Sequence, residues 1–501
     1  MNAEPPAEQF SMRGVSRLSW LKGEVSPRQS LWFAIALAVL ACLPVLLARY
    51  PQMVDYPAHL ARYHIMLDRA ESPFLKEYYG FQWYLMGNLG ADLLIWPFAK
   101  LFGLEAAGRI VVALTVLSTG LGIIAVEWTL RRRIGVGTLL ALCFIWSPAM
   151  LLGFLNFGLS LAGALIAFAL WVRLEGKRWR EALFVPIGLG VWLCHVSGWG
   201  ALGVMVFGYE WHRDKSWRPF LAPWPLMAPF VTTLFAGEGT RELASYGAHA
   251  LTYKWSIWKQ AMKDQIEWLD YASVILIGLI LFGSLCLRRF DGRLGWAAIA
   301  MLALALVMPR HIFGGDLVDA RMIYTGLMVG CLALAWRTPR WLLLLAPVLF
   351  LGRLGLTTAD WVRESQHTTR LLTMIEDLPR GARIASLVVT ERREWGYNPQ
   401  EHVGAWSIVR LDALNNSNFA LPKVHMISIR QGGPFFRDPY HRLLRYRAKP
   451  IDLARYGPAY EADWLWYIGR DEPASLPKGA VIVKRAPGTF LAKLAKPPRD
   501  S

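Results

Sequence analysis

Long apolar runs separated by short polar segments dominate the chain as far as Leu356. A membrane-spanning helix needs about 20 apolar residues, fewer where a bundle shields it. The first run covers residues 31–48. It follows a leader, residues 1–30, that carries Arg13, Arg17, Lys22 and Arg28. Such a leader predicts a retained first helix with a cytoplasmic amino terminus rather than a cleaved signal. Further runs predict helices at 106–130, 136–150, 157–172, 219–236, 273–287, 294–308, 322–336 and 341–356. The stretch 183–209 is interrupted by His195-Val196-Ser197-Gly198. Arg173, Lys177, Arg178 and Arg180 precede it, and Arg213, Lys215 and Arg218 follow it. Positive residues at both ends predict that both ends are cytoplasmic, which requires two short passes with His195 at the outer tip. Under this one assignment Arg131-Arg132-Arg133, Arg288, Arg289, Arg293, Arg337 and Arg340 also fall inside. The count comes to about eleven spans within residues 31–356.

The outer side then receives the loop 49–105 with a short amphipathic piece at 89–102, the tip at His195, the loop 237–271, the segment 309–321, and residues 357–501. This last part has the size of a separate domain, about 145 residues. Strand-like runs at 383–389, 424–429, 464–468 and 480–483, with a turn at Leu378-Pro379-Arg380-Gly381, predict a periplasmic α/β domain. The fold class expected is an α-helical polytopic membrane protein with a carboxyl-terminal α/β domain.

Composition agrees. Of 501 residues, 54% are hydrophobic and 18% charged, with a mean hydropathy of +0.31; soluble chains carry about one quarter charged residues. The net charge of +17 is spread over small clusters between apolar runs, which argues against nucleic-acid binding. Cys42, Cys143, Cys194, Cys286 and Cys331 all fall in apolar runs without a CxxC pair, so they read as packing residues rather than a disulfide or zinc framework. Glu127, one turn before Arg131, reads as half of an i, i+4 pair, and Arg353 as a side chain that snorkels outward or else faces a lipid phosphate.

The first outer loop holds the densest chemistry, Asp55-Tyr56-Pro57-Ala58-His59-Leu60-Ala61-Arg62-Tyr63-His64. Pro57 suits a first helical turn. Asp55 then stands at the helix start, with His59 and Arg62 on one face. A carboxylate to deprotonate a hydroxyl, an imidazole to orient it and a guanidinium to hold phosphate are thereby brought together. Asp55 as a simple N-cap is the plainer alternative. In the carboxyl-terminal part, Asn415-Asn416-Ser417-Asn418 and Trp406 suggest either sugar recognition or an Asn-rich turn. Trp395, Tyr397, Trp464 and Trp466 suit a core or a membrane interface.

Downstream come Gly87-Asn88-Leu89-Gly90-Ala91-Asp92, then Leu101-Phe102-Gly103, then Arg109 opening the second helix. In their order, these elements and Asp55 resemble the GT-C superfamily of polytopic membrane glycosyltransferases, in particular the bacterial aminoarabinose and mannosyl transferase-like branch. The pair of short helices tipped by His195 resembles a family feature whose tip often carries Lys. Arg321, after Asp316 and Asp319, and a carboxyl-terminal periplasmic domain fit the same branch. The resemblance implies an inverting transfer of sugar from a polyprenyl-phosphate donor to a hydroxyl on a lipid, glycan or protein acceptor, at the periplasmic face of the inner membrane. It implies Asp55 as general base; His59, four residues on, either orients that carboxylate or makes a structural hydrogen bond at the interface. The leaving phosphate gains charge, so Arg321 is the first candidate to bind it, with Arg310, His195, Arg62, Lys254, His311 and Arg241. No cofactor is required; a divalent metal on Asp55, Asp92 and Glu238 is an open option. The rival readings are a non-catalytic envelope scaffold and a lipid or sugar transporter (flippase). The chain lacks the internal repeat and mid-membrane charges typical of transporters.

Overall fold

The structure, a computed structural model, describes residues 23–233, 244–312, 315–336, 338–391, 395–420, 425–437, 443–446 and 451–495. The protein is mostly helical. Four helices are long and apolar enough to cross a membrane: Leu104–Arg131, Leu155–Arg173, Glu267–Cys286 and Arg340–Leu372. Shorter apolar helices cover Pro27–Leu40, Val136–Leu152 and Gly292–Val307. Helix Glu267–Cys286 identifies the solvent. Its hydropathy is 2.0, yet only 22% of that apolar window is buried inside the protein; Ile275, Leu279 and Phe282 stand outward. Each Å² of such surface left in water forfeits roughly 25 cal/mol. Lipid accepts it, and a helix satisfies its own backbone there.

Prolines account for most departures from the expected helices. The first run begins at Pro27 and breaks before Leu43–Leu47, where Pro44 interrupts the hydrogen-bond ladder. The run 136–150 divides into Val136–Ala141, the turn Leu142–Phe144 and Pro148–Leu152. The run 219–236 is no single helix: Pro219, Pro223, Pro225 and Pro229 leave the turns Arg218–Phe220 and Trp224–Met227 and a short helix Ala228–Thr233. Residues 234–236 lie outside the described ones. The stretch 183–209 does break at His195, between helices Arg180–Cys194 and Val196–Arg213. The last helix runs beyond the expected end at 356, through Leu372, because Thr357, Asp360, Trp361 and Ser365 continue a buried face. Cys286 is exposed at the end of its apolar helix, unlike the buried Cys42, Cys143 and Cys331.

Charged clusters mark the two ends of the helical body. At one end Arg131 pairs with Glu127 and with Asp291 (2.9 Å) and donates to Leu332 O. Arg293 holds the same Asp291 at 2.7 Å. The expected Glu127–Arg131 pair is thus one edge of a closed network. At the opposite end the first loop packs against the carboxyl-terminal region. Strand Tyr79–Phe81 pairs antiparallel with Ile427–Ile429. Buried Asp412 accepts from His64 Nε2 (2.7 Å), Ser72 Oγ (2.9 Å) and Arg380. Two segments distant in sequence therefore share one face, and both lie on one side of any membrane the helices cross.

The carboxyl-terminal region contains a six-stranded mixed sheet. Strand Arg383–Glu391 is parallel to Leu414–Asn415, Leu443–Tyr446 and Trp464–Ile468; Thr489–Lys493 and Val481–Ala486 extend it antiparallel. Asn415 and Asn416 are fully buried. Asn416 Oδ1 accepts from Ser386 N (2.8 Å) and its Nδ2 donates to Ser386 O (3.0 Å), bracketing the central strand. These asparagines are interior supports and not a sugar-binding turn, because burial requires every amide to find a partner. Trp406, 2% exposed, is likewise core.

Candidate active site

Asp55 opens helix Tyr56–Asp68, but its carboxylate makes no capping bond. The side chain is partly exposed, and His402 Nε2 lies 3.4 Å from Oδ1. His59 does not orient this carboxylate. Its Nε2 donates to Gly153 O (3.1 Å), and its buried Nδ1 meets no hydrogen-bond partner among the described residues. Burial first, then the neighbouring Arg62, His425 and His402, hold the His59 pKa well below the usual imidazole value. His425 is likewise pushed down to about 3, by burial and then Arg62. Phe419 joins the group: its ring centroid is 5.1 Å from those of His59 and His402 and 5.3 Å from that of His425.

Arg62 and Asp92 take other roles than expected. They form a buried pair at 2.8 Å, with Asn156 Nδ2 3.3 Å from the same carboxylate oxygen and its Oδ1 accepting from Ala91 N at 2.6 Å. This pair pins the short helix Gly90–Phe102 to the loop helix. Arg62 is thereby neutralised and not free to hold phosphate, and Asp92 turns toward Arg62 instead of sharing a cation with Asp55. Among the described residues no group of three or more His, Cys, Asp or Glu side chains is placed to hold a metal ion. Glu238 and Arg241 lie outside the described residues.

Arg321 and His195 come together. Arg321, 6% exposed, opens helix Val318–Leu332. Its guanidinium lies over the rings of Phe154 (4.5 Å) and Phe157 (5.7 Å). Its Nη1 is 3.3 Å from His195 Nε2 and 3.4 Å from Ser197 Oγ. No carboxylate among the described residues forms an ion pair with it, and its buried Nε has no partner there. The His195 tautomer follows from its other contact: Ser197 N–H donates to Nδ1 (2.9 Å), so the ring hydrogen resides on Nε2. A guanidinium offers only donors. Two N–H donors thus lie side by side with only the neutral Ser197 Oγ (3.4 Å) accepting from them among the described residues, at the amino-terminal end of helix Val196–Arg213, where the helix dipole also favours an anion.

The other expected cations are already matched. Lys254 Nζ binds Asp319 (2.5 Å) and the carbonyls of Ala305 and Met308. Arg310 holds Asp316 with two bonds (2.7 and 2.9 Å), and His311 faces the same carboxylate at 3.3 Å. These side chains brace the segment leading to Arg321. Arg353 does not snorkel: it is buried and pairs with Asp270 at 2.7 Å, with Met262 O as a second acceptor. Arg109 donates to Val45 O (3.1 Å), tying the second helix to the end of the first.

The turn Gly153–Phe154 joins the two halves of the site. Gly153 adopts φ +101°, and a Cβ there would sit 2.8 Å from Asp55 Cβ. Only glycine permits both the left-handed backbone and this approach. Asp55 and His59 thus contact one residue of the turn, and Arg321 covers the next. Sequence reasoning missed Ser197, His402, Phe419 and His425. The last three lie in the carboxyl-terminal region without a spacing pattern that announces them. No family model, curated protein or solved structure matches this chain.

Proposed function

We propose that the protein is an inverting glycosyltransferase of GT-C type that uses a polyprenyl-phosphate-linked sugar at the periplasmic face of a bacterial inner membrane. The observation that carries this reading is a buried Arg321 with no carboxylate partner among the described residues, 3.3 Å from the His195 Nε2–H donor and linked to Asp55 through the turn Gly153–Phe154. A buried guanidinium without a carboxylate is costly unless an anion completes it, and a lipid phosphate supplies that anion.

Asp55 takes the proton from the acceptor hydroxyl as the oxygen bonds to the anomeric carbon. The bond from that carbon to the phosphate oxygen breaks on the opposite face, and its electron pair leaves on the phosphate. Arg321 and His195 Nε2–H stabilise the charge that accumulates there. On this reading the chain makes about eleven crossings, with the amino terminus inside and the broken segment 219–236 counted as one of them. The face shared by the first loop and the carboxyl-terminal region would then be periplasmic, and residues 357–501 would supply a periplasmic α/β domain around the sheet.

The test is transfer by the purified protein in nanodiscs, supplied with radiolabelled polyprenyl-phosphate hexoses and pentoses and with bacterial lipid as acceptor. Label should move to an acceptor with inversion at the anomeric carbon. Accessibility labelling that finds position 55 on the cytoplasmic side overturns the proposal.

A further inference from the structure

Asp55 is an acid whose backbone is fixed and whose carboxylate is not. Its N–H donates to Leu152 O (3.0 Å) and its carbonyl accepts His59 N–H (3.0 Å). Gly153 closes one side of it. Rotation about the side-chain bonds alone would still let the carboxylate leave the direction in which a hydroxyl approaches. Among the described residues, the basic side chain in ion-pair range of it is His402, at 3.4 Å. His402 is 1% exposed and sits at the start of the turn Val403–Ala405, where Ala405 N–H donates to its carbonyl (2.9 Å). Phe419 packs edge-on against the His402 ring. The imidazole is thus held by the carboxyl-terminal region, which Asp412, His64 and Ser72 in turn fasten to the helix that Asp55 opens.

The other ionisable groups facing this spot do not compete for the carboxylate. Arg62 is engaged by Asp92. His59 and His425 are kept from protonation by burial and neighbouring charge.

We infer that His402 is a positioning residue for Asp55. Its Nε2–H holds Oδ1, and Oδ2 is left to face the acceptor hydroxyl. The inference rests on the assignment of Asp55 as general base. It also means that the carboxyl-terminal region completes the catalytic constellation and does not merely cover it.

The experiment uses the full-length protein in nanodiscs with the donor panel and lipid acceptor described above. His402→Phe keeps the ring and removes the donor. It should lower kcat about 10- to 100-fold, the scale of a small misplacement of a reacting group, and leave the KM for donor unchanged. His402→Gln, whose amide can donate from a similar position, should recover kcat to within about 5-fold of the unaltered protein. Thermal unfolding of each variant checks folding; should His402→Phe not fold, His402→Gln against the neutral, similarly sized His402→Met makes the same comparison of donor with non-donor. Equal loss in His402→Gln and His402→Phe overturns the inference, since packing alone would then explain the contact. Unaltered kcat in His402→Phe, beside an inactive Asp55→Asn, overturns it and leaves the role of Asp55 standing. An active Asp55→Asn overturns the general-base assignment, and the positioning role with it. Absence of turnover by the unaltered protein overturns both.

Discussion

Arg321 and Arg353 are both buried arginines in apolar helices near the same end of the protein, and they differ in what surrounds them. Arg353 meets Asp270 at 2.7 Å and a backbone carbonyl at 2.6 Å; Trp395 donates to the second oxygen of the same carboxylate. Arg321 meets two aromatic rings, a hydroxyl and another donor. A buried charge costs several kcal/mol unless it is paired. The matched arginine explains itself as architecture, and the unmatched one calls for a partner from outside the chain. The same contrast separates the closed Glu127–Arg131–Asp291–Arg293 network from the open site at the other end.

The comparison is tested most severely at the open site. Asp55→Asn removes the proposed base and should lower kcat about 10²- to 10⁴-fold with the folded protein intact; transfer rates beside thermal unfolding check it. Arg321→Met should lower kcat about 10²- to 10³-fold, the scale of one lost oxyanion donor. Its melting temperature should hold or rise, because an unpaired buried charge has gone. A clear loss of stability in this variant would place Arg321 with Arg353. At the matched site the signs reverse. Arg353→Met leaves Asp270 without its counter-charge and should destabilise the protein by about 3–5 kcal/mol, while adding Asp270→Leu should recover only part of that loss in denaturant unfolding, because Trp395 Nε1–H and Asp264 N–H then lose their acceptor.

The smallest effect is the pH dependence of the clasp between the first loop and the carboxyl-terminal region. Burial opposes the charged form of His64, but hydrogen bonds to Asp412 and Asp68 outweigh it and raise the pKa. That stabilisation is fully present below the unfolded value of about 6.5 and is lost as the pH rises through the folded value. Asp412 runs the opposite way. Burial raises its pKa, but the bonds from His64, Ser72 and Arg380 prevail and bring it down to about 2. Its contribution is present above the unfolded value of about 3.9 and disappears as the pH falls through about 2. The clasp is therefore strongest from about pH 4 to 6.5. Thermal unfolding should weaken on the alkaline side of that window, and His64→Gln should flatten the alkaline decline.

Several features were legible from local pattern because their causes are local. Apolar length marks the helices, as at Leu104–Arg131 and Leu155–Arg173. The break at His195 followed from the positive-inside rule applied to the clusters on either side. Asp55, His195 and Arg321 were legible as polar residues at the ends of apolar runs. The prolines of 219–236 were visible in the sequence, but hydropathy averages over them, whereas the backbone responds to each one. Arg62, Asp92, Lys254 and Arg310 were misread because type and position reveal a charge and not its partner. Asp92 and Arg62 are 30 positions apart, and Lys254 and Asp319 are 65 apart.

The sequence alone determined which segments are apolar enough to enter lipid, since transferring an apolar side chain depends on its own surface and little on its neighbours. It also determined where ionisable groups stand relative to the helix ends. Tertiary structure alone decided which charges are neutralised and which remain open, and it brought His402 to Asp55, and Phe419 and His425 to the group around His59, across some 350 positions of chain. Electrostatic pairing is set by distance in space, and only the packed helices and the strand shared between the first loop and the carboxyl-terminal region establish those distances.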